Sequence, residues 1–234
     1  MMISTQNRRP LYVRPLTVED LPDVARIHMQ AFPDSALTKL GQEAVRRYYE
    51  WQIIGPHEAL NIGVHDQTSL LGFCFGGVFH GALGGFLEKN RAFLVRQVMS
   101  HPWLLLNPLF RERSQFAVSR LYKRVFPGHP SVIARSTTAT SKRVLSFGIL
   151  SIAVAPQYQG CGAAQLLMEY SEQAAIERGF THMGLTVHPS NSRAVRFYEK
   201  IGWQRDMKDG RWNGHMSKAI GLLNSPEAHT SEAR

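Results

Sequence analysis

The chain has 234 residues, 44% of them apolar and 19% charged, with 19 Gly and 12 Pro. That is enough for one large domain or two small ones, and it excludes a disordered chain, a collagen-like repeat and a coiled coil. Lys and Arg number 27 against 18 Asp and Glu, a formal charge of +9, which suits an anionic partner: nucleic acid, an acidic membrane surface or a phosphorylated ligand. Cys74 and Cys161 lie far apart and leave one disulfide conceivable, but they make neither a disulfide framework nor a zinc pair, so no metal site is expected. The first ten residues are polar and lack the apolar stretch of a signal peptide, so a cytoplasmic location is expected.

Tyr12–Pro15 reads as a first strand. Thr17 and Asp20 form a capping box, and Leu21, Val24, Ala25, Ile27, His28 and Ala31 follow at helical spacing up to Phe32-Pro33. A second helix is expected over 38–52. Asn61–His65 and Leu70–Val78 read as a hairpin across 66–69. The apolar run from Leu70 to Phe86 carries six glycines and His80, which fits a strand entering a glycine-rich turn better than a membrane span. Leu83–Ser100 and Gln115–Val125 read as helices. Val144–Val154 is nearly continuous in apolar character, the pattern of a strand buried on both faces. A helix over 164–178, a strand over 183–188, a helix from a Ser190-Asn191 cap to Lys200, and two closing strands at 203–205 and 215–220 complete the chain. No repeat or linker divides it: one domain is expected over 1–220, with a frayed tail at 221–234.

The chemistry concentrates where the strand ending Ile152-Ala153-Val154 runs through Gln157-x-x-Gly160-x-Gly162-Ala163 into a helix. Glycines let backbone N–H groups approach a ligand without a Cβ in the way, and the helix behind them turns its positive end to the same place. The pattern suits a phosphate or pyrophosphate, though a plain strand-to-helix turn fits it as well. It is not a dinucleotide fingerprint, which needs a third glycine where Gln165 stands and an acid near Gly179. It is not a P-loop either, for want of Gly-Lys-Ser/Thr.

A second motif follows the next strand. Together, Ile-Ala-Val-x-Pro-x-x-Gln-Gly-x-Gly-Ala (152–163) and Asn-x-x-Ala-x-x-Phe-Tyr-x-x-x-Gly-Trp (191–203) closely resemble the Gcn5-related N-acetyltransferase (GNAT) superfamily. The resemblance is strong over 144–205, fair over 12–78 and absent over 81–130, which reads as an insertion before the fourth strand. It implies an α/β fold with a mixed, mostly antiparallel central sheet, helices on both faces, and fourth and fifth strands that splay apart to admit acetyl-CoA.

Carried over by position, the resemblance assigns the pantetheine arm to the backbone around Ile152, Ala153 and Val154. The pyrophosphate falls to Gln159, Gly160, Cys161, Gly162, Ala163 and Ala164, with Gln157 opening the motif. Asn191 would meet the cofactor from the next helix, and Tyr198 would face the CoA sulfur and supply the leaving thiolate's proton. Packing beside Phe197 in the core is the competing role for Tyr198. Phe32 and Leu37 fall where the family's acceptor loop forms, and helix packing explains them equally. Many relatives carry a glutamate base eight residues before the motif valine, but Ser146 stands there. His188, Glu19, Asp34 or a water chain are the remaining candidates, and a loop or strand-end histidine is the plainer reading of His188. The missing acid favours an acceptor amine of low pKa: an α-amine near about 8 needs less help than a lysine-like amine near about 10.4.

The excess charge is local. Over 81–130, Lys89, Arg91, Arg96, Arg111, Arg113, Arg120, Lys123 and Arg124 face only Glu88 and Glu112. The insertion reads first as a solvated face whose apolar side covers the acceptor site or a homodimer interface. A peripheral membrane contact comes second, since Trp103-Leu-Leu-Leu106 lies among basic residues. Nucleic acid is not expected, because there is little aromatic interleaving for base stacking. The resulting expectation is an acetyl-CoA-dependent N-acetyltransferase. It would act on a primary amine of an amino sugar, amino acid, polyamine or protein N-terminus, by direct attack in a ternary complex. The alternative is a CoA-binding module without catalysis that docks to a membrane or protein through the insertion.

Overall fold

The computed structural model of the chain describes residues 10–78, 82–100 and 146–221. Seven strands form one sheet in the order β1-β2-β3-β4-β5-β7-β6: β1 Tyr12–Pro15, β2 Ala59–His65, β3 Leu70–Gly77, β4 Ser146–Val154, β5 His182–Thr186, β6 Gln204–Lys208 and β7 Arg211–Ala219. Among the described residues β4 and β5 pair in parallel and every other pairing is antiparallel. The helices are α1 Leu21–Ala31, α2 Ala36–Lys39, α3 Gln42–Ile54, α4 Ala82–Lys89, α5 Arg91–Ser100, α6 Ala163–Glu177 and α7 Ser192–Lys200. The mixed α/β fold expected from the sequence is the observed one.

The sheet is covered on both faces. Leu167 and Ala175 of α6 and Val195 and Tyr198 of α7 pack with Ile62, Val64, Cys74, Phe147 and Val154 on one side. Leu21, Val24 and Ile27 of α1 and Val45 and Tyr49 of α3 pack with Phe73, Phe75 and Ala153 on the other. The capping box forms as expected: Thr17 N–H donates to Asp20 Oδ2 at 2.9 Å, and Arg14 grips the same carboxylate at 2.7 Å. Both cysteines are free, Cys74 in the core and Cys161 half-buried.

Four expectations are corrected. The single helix over 38–52 is two: Ser35 caps α2 by accepting from Thr38 N–H at 3.0 Å, and Gly41, at φ +94°, breaks the chain before α3. Leu83–Ser100 is likewise two helices meeting at buried Asn90, whose side-chain N–H donates to the Phe86 carbonyl at 3.1 Å and competes with the helix's own bonding. The fifth strand ends at Thr186 rather than His188. Val187 still donates to the Gly214 carbonyl at 2.9 Å, and Gly214 sits so close that a Cβ there would lie 2.1 Å from the Val187 carbonyl. Finally, the strand buried along its whole length is β3, not β4, in which Ser146 and Leu150 are exposed. The expected helix over 115–125, the start of the 144–154 strand and the tail from 222 lie outside the described residues. Among the described residues no helix is long and apolar enough to cross a membrane, and no cluster of His, Cys, Asp and Glu could hold a metal.

Candidate functional site

The site is built on the C-terminal half of β4. Pairing with β5 runs from Ser146↔His182 to Ile149↔Leu185 and stops there, although β4 continues to Val154. On the other edge the register slips at the same point: Gly76 faces Ile149 and Phe75 faces Ser151, so Leu150 is an extra residue. Such a bulge bends its strand. From Ser151 onward β4 keeps β3 on one side and has no β5 partner on the other, which makes a fork between the two parallel strands.

The free edge carries backbone groups. Ala155 N–H donates to the Leu71 carbonyl at 2.8 Å. Because backbone groups alternate sides along a strand, the N–H and C=O of Ile152 and Val154 point away from β3 into the fork. The side chain of Gln159 donates to the Val154 carbonyl at 3.4 Å from that side. Ala153, between them, points its backbone to β3 and its methyl group into the α1–α3 core.

The fork leads to the glycine turn. Pro156–Tyr158 form one 3-10 turn, with Gln157 exposed, and Gly160 and Gly162 take φ +90° and +95°. A Cβ added at either would meet nothing within 4 Å among the described residues. Gly162 caps α6, whose first helical bond is Leu166 N–H to the Gly162 carbonyl at 3.0 Å. The N–H groups of Ala163, Ala164 and Gln165 therefore have no partner within the helix. Among the described residues no side chain caps them and the first turn holds no acid, so the positive end of the helix is uncompensated, an arrangement that can take an anion. Cys161 packs its side chain against the core.

Asn191 and Tyr198 come from α7. Asn191 Oδ1 accepts from Ala194 N–H at 3.1 Å and caps the helix. Arg193, which the sequence reading missed, donates to Gln159 Oε1 and brings a guanidinium to the glycine turn. Its place in the first turn after the Asn191 cap was the available signal. Tyr198 is buried, with its ring 5.3 Å from Phe197 and 6.0 Å from Trp203. Burial pushes its phenol pKa well up, so it holds its proton at neutral pH.

The remaining candidates separate. His188 is exposed after β5, with Nδ1 2.7 Å from Ser190 Oγ. Ser146 sits at the paired end of β4, opposite His182, rather than at the fork. Asp34 pairs with Lys39 at 3.3 Å on the surface, and Glu19 is exposed beside Thr17. Phe32 and Leu37 pack against the α1–α3 core, with the Phe32 ring 5.0 Å from His28. Under that face lies a polar chain that the sequence did not disclose. Ser151 Oγ is 2.9 Å from Tyr49 Oη, which is 2.8 Å from His28 Nδ1; His28 Nε2 is 3.2 Å from Ser35 Oγ.

Residues 139–203, the segment holding β4, the glycine turn, α6, β5 and α7, match the model of the acetyltransferase (GNAT) family. No curated protein sequence matches the chain. Among solved structures the chain is similar to the PaiA N-acetyltransferase of Thermoplasma acidophilum in complex with coenzyme A, at 14% identity and TM-score 0.53 over 90% of this chain and 99% of that one. It is also similar to the ribosomal-protein-S18-alanine N-acetyltransferase of Escherichia coli, at 17% identity and TM-score 0.52 over 92% and 97%. A third is YncA of Salmonella typhimurium with its cofactor acetyl-CoA, at 14% identity and TM-score 0.51 over 94% and 99%. At such identities the likeness is one of fold. The segment 139–203 thus carries the sequence pattern of the acetyltransferase (GNAT) family, and the chain shares the fold of these acetyltransferases.

Proposed function

We propose that the chain is an N-acetyltransferase that moves the acetyl group of acetyl-CoA to a primary amine by direct attack in a ternary complex. The observation that carries this reading is the continuity of the fork with the glycine turn. Among the described residues, an unpaired strand edge ends at a helix N-terminus that has no side-chain cap and no acid in its first turn. The chemistry matches acetyl-CoA from end to end: an amide-bearing arm for the backbone of Ile152 and Val154, and a pyrophosphate for the N–H groups from Gly160 to Ala164. Arg193 supports the phosphates through Gln159, and the amide nitrogen of Asn191 carries the donors a ligand would use.

Acyl transfer needs an amine with its lone pair free, a polarised thioester carbonyl and a proton for the departing thiolate. A strand N–H near Val154 on the open edge is the carbonyl's donor. Tyr198, kept protonated by burial, gives its proton to the thiolate, and the proton that the amine sheds as the amide forms passes to water, from which the phenol is restored. His188 at the mouth of β5 and the Phe32–Leu37 segment border the acceptor. The acceptor class is an amino sugar, amino acid, polyamine or protein N-terminus. An amine of low pKa is favoured, since among the described residues β4 and β5 carry no carboxylate.

That same absence supports the second reading, a CoA-binding module without turnover. Thiol release from acetyl-CoA, measured against a panel of amines, separates the two. The enzyme releases thiol only when an amine is present. Tight acetyl-CoA binding with no release for any amine moves the assignment to the module.

A further inference from the structure

The direction of every hydrogen bond beneath the fork follows from one end of the chain. The Phe32 carbonyl can only accept, and Thr38 Oγ1 donates to it at 2.8 Å. With its proton so used, Thr38 Oγ1 accepts from Ser35 Oγ at 3.0 Å. Ser35 Oγ, its own proton used, accepts from Thr38 N–H at 3.0 Å and from His28 Nε2–H at 3.2 Å. His28 is 7% exposed, and burial pulls its pKa from 6.5 down to about 4, so at neutral pH it carries one proton, on Nε2. Its Nδ1 therefore accepts from Tyr49 Oη–H at 2.8 Å, and Tyr49 Oη in turn accepts from Ser151 Oγ–H at 2.9 Å. Each side-chain donor along this run points away from β4, and the Ser151 oxygen is left with lone pairs and no proton to offer.

Ser151 is the first residue of β4 beyond the Leu150 bulge. Its half-buried side chain lies on the α1–α3 face, next to the backbone of Ile152 that opens into the fork. A hydroxyl held there as an acceptor suits a ligand that brings an N–H. We propose that Ser151 is a catalytic residue that receives the acceptor amine: its Oγ accepts a hydrogen bond from the amine N–H and turns the nitrogen lone pair toward the thioester carbonyl. Tyr49 and His28 are positioning residues that fix the Ser151 proton away from the substrate. The chain is an orienting device rather than a proton sink, because a proton passed along it would rest on buried His28, where it is disfavoured. This rests on the acetyltransferase reading above.

The test uses the full chain with acetyl-CoA and three probe amines, glucosamine, spermidine and alanine amide. Rates and the acetyl-CoA dissociation constant are measured for wild type, Ser151→Ala, Ser151→Thr and Tyr49→Phe. With the fastest probe, Ser151→Ala lowers kcat/KM for the amine about tenfold, the size of one lost neutral hydrogen bond, and leaves acetyl-CoA affinity unchanged. Ser151→Thr restores most of the loss. Tyr49→Phe keeps the ring's packing but frees the Ser151 proton, and it raises the KM for the amine with little change in that for acetyl-CoA. The proposal is overturned if Ser151→Ala turns over the amine like wild type, or if Tyr49→Phe lowers the melting temperature alone. Failure of wild type to acetylate any probe while binding acetyl-CoA overturns the amine role too, and it is distinguished by failing before any substitution is made.

Discussion

Gly162→Glu is expected to lower acetyl-CoA affinity by more than about a hundredfold while the protein stays folded. Gly162 sits at φ +95° as the cap of α6, and an added side chain would enter open space rather than the core. The backbone conformation costs a non-glycine residue about 1–2 kcal/mol, a fraction of a domain's stability. A carboxylate at a helix N-terminus returns part of that, about 0.3–1 kcal/mol. The same carboxylate would lie in the seat assigned to the pyrophosphate, where like charges repel across a short gap and occupy the same N–H donors. Gly162→Asn is the control, since Asn tolerates the left-handed conformation and adds no charge; it should bind acetyl-CoA far better than the Glu variant. Calorimetric titration with acetyl-CoA, alongside a melting curve, checks both. Unchanged affinity in the Glu variant would remove the glycine turn from the cofactor site.

Tyr198→Phe is expected to lower kcat about a hundredfold and to change acetyl-CoA affinity little. General acid catalysis by a placed side chain contributes on the order of a hundredfold or more. Phe retains the ring that packs beside Phe197 and Trp203, so stability should hold. That separation matters because Tyr198 is at once a core residue and the assigned acid. Steady-state rates at saturating acetyl-CoA with any turned-over amine decide it. A variant that melts earlier but turns over normally would return Tyr198 to the core alone.

The parts of the site legible in the sequence are those written as local backbone demands. Gly160, Gly162 and the Asn191 cap each answer a need of the adjacent residues, so their spacing carries the cofactor motif without knowledge of the sheet. The fork was legible only through the family resemblance. Read by itself, the apolar run at 144–154 suggested a strand buried on both faces. In fact β4 loses its β5 partner after Ile149, and a one-residue bulge at Leu150 marks the place, which depends on pairing rather than on composition. The break before α3 was missed because the helical spacing on either side of Gly41 nearly continues through it. The Ser151–Tyr49–His28 chain was invisible for a plainer reason: its members are 21 and 102 positions apart, and only the packing of α1 and α3 onto one face brings them together. Ser146, which stands where many relatives carry the glutamate, lies in the closed half of β4.

Charge was informative once located. The proposed seat for the pyrophosphate draws on backbone N–H groups and a helix end, with Arg193 as a nearby cation, so it needs little of the +9 carried by the whole chain. Much of that excess falls in 81–130, of which α4 and α5 contribute Lys89, Arg91 and Arg96 on helices that also expose Val95 and Met99.

The most direct test of the fork as the cofactor site is a crystal structure with acetyl-CoA bound. The account predicts pantetheine amide groups hydrogen-bonded to the backbone of Ile152 and Val154, the pyrophosphate on the N–H groups between Gly160 and Ala164, and the thioester beside Tyr198. Acetyl-CoA seated elsewhere, with the free edge of β4 untouched, would contradict it.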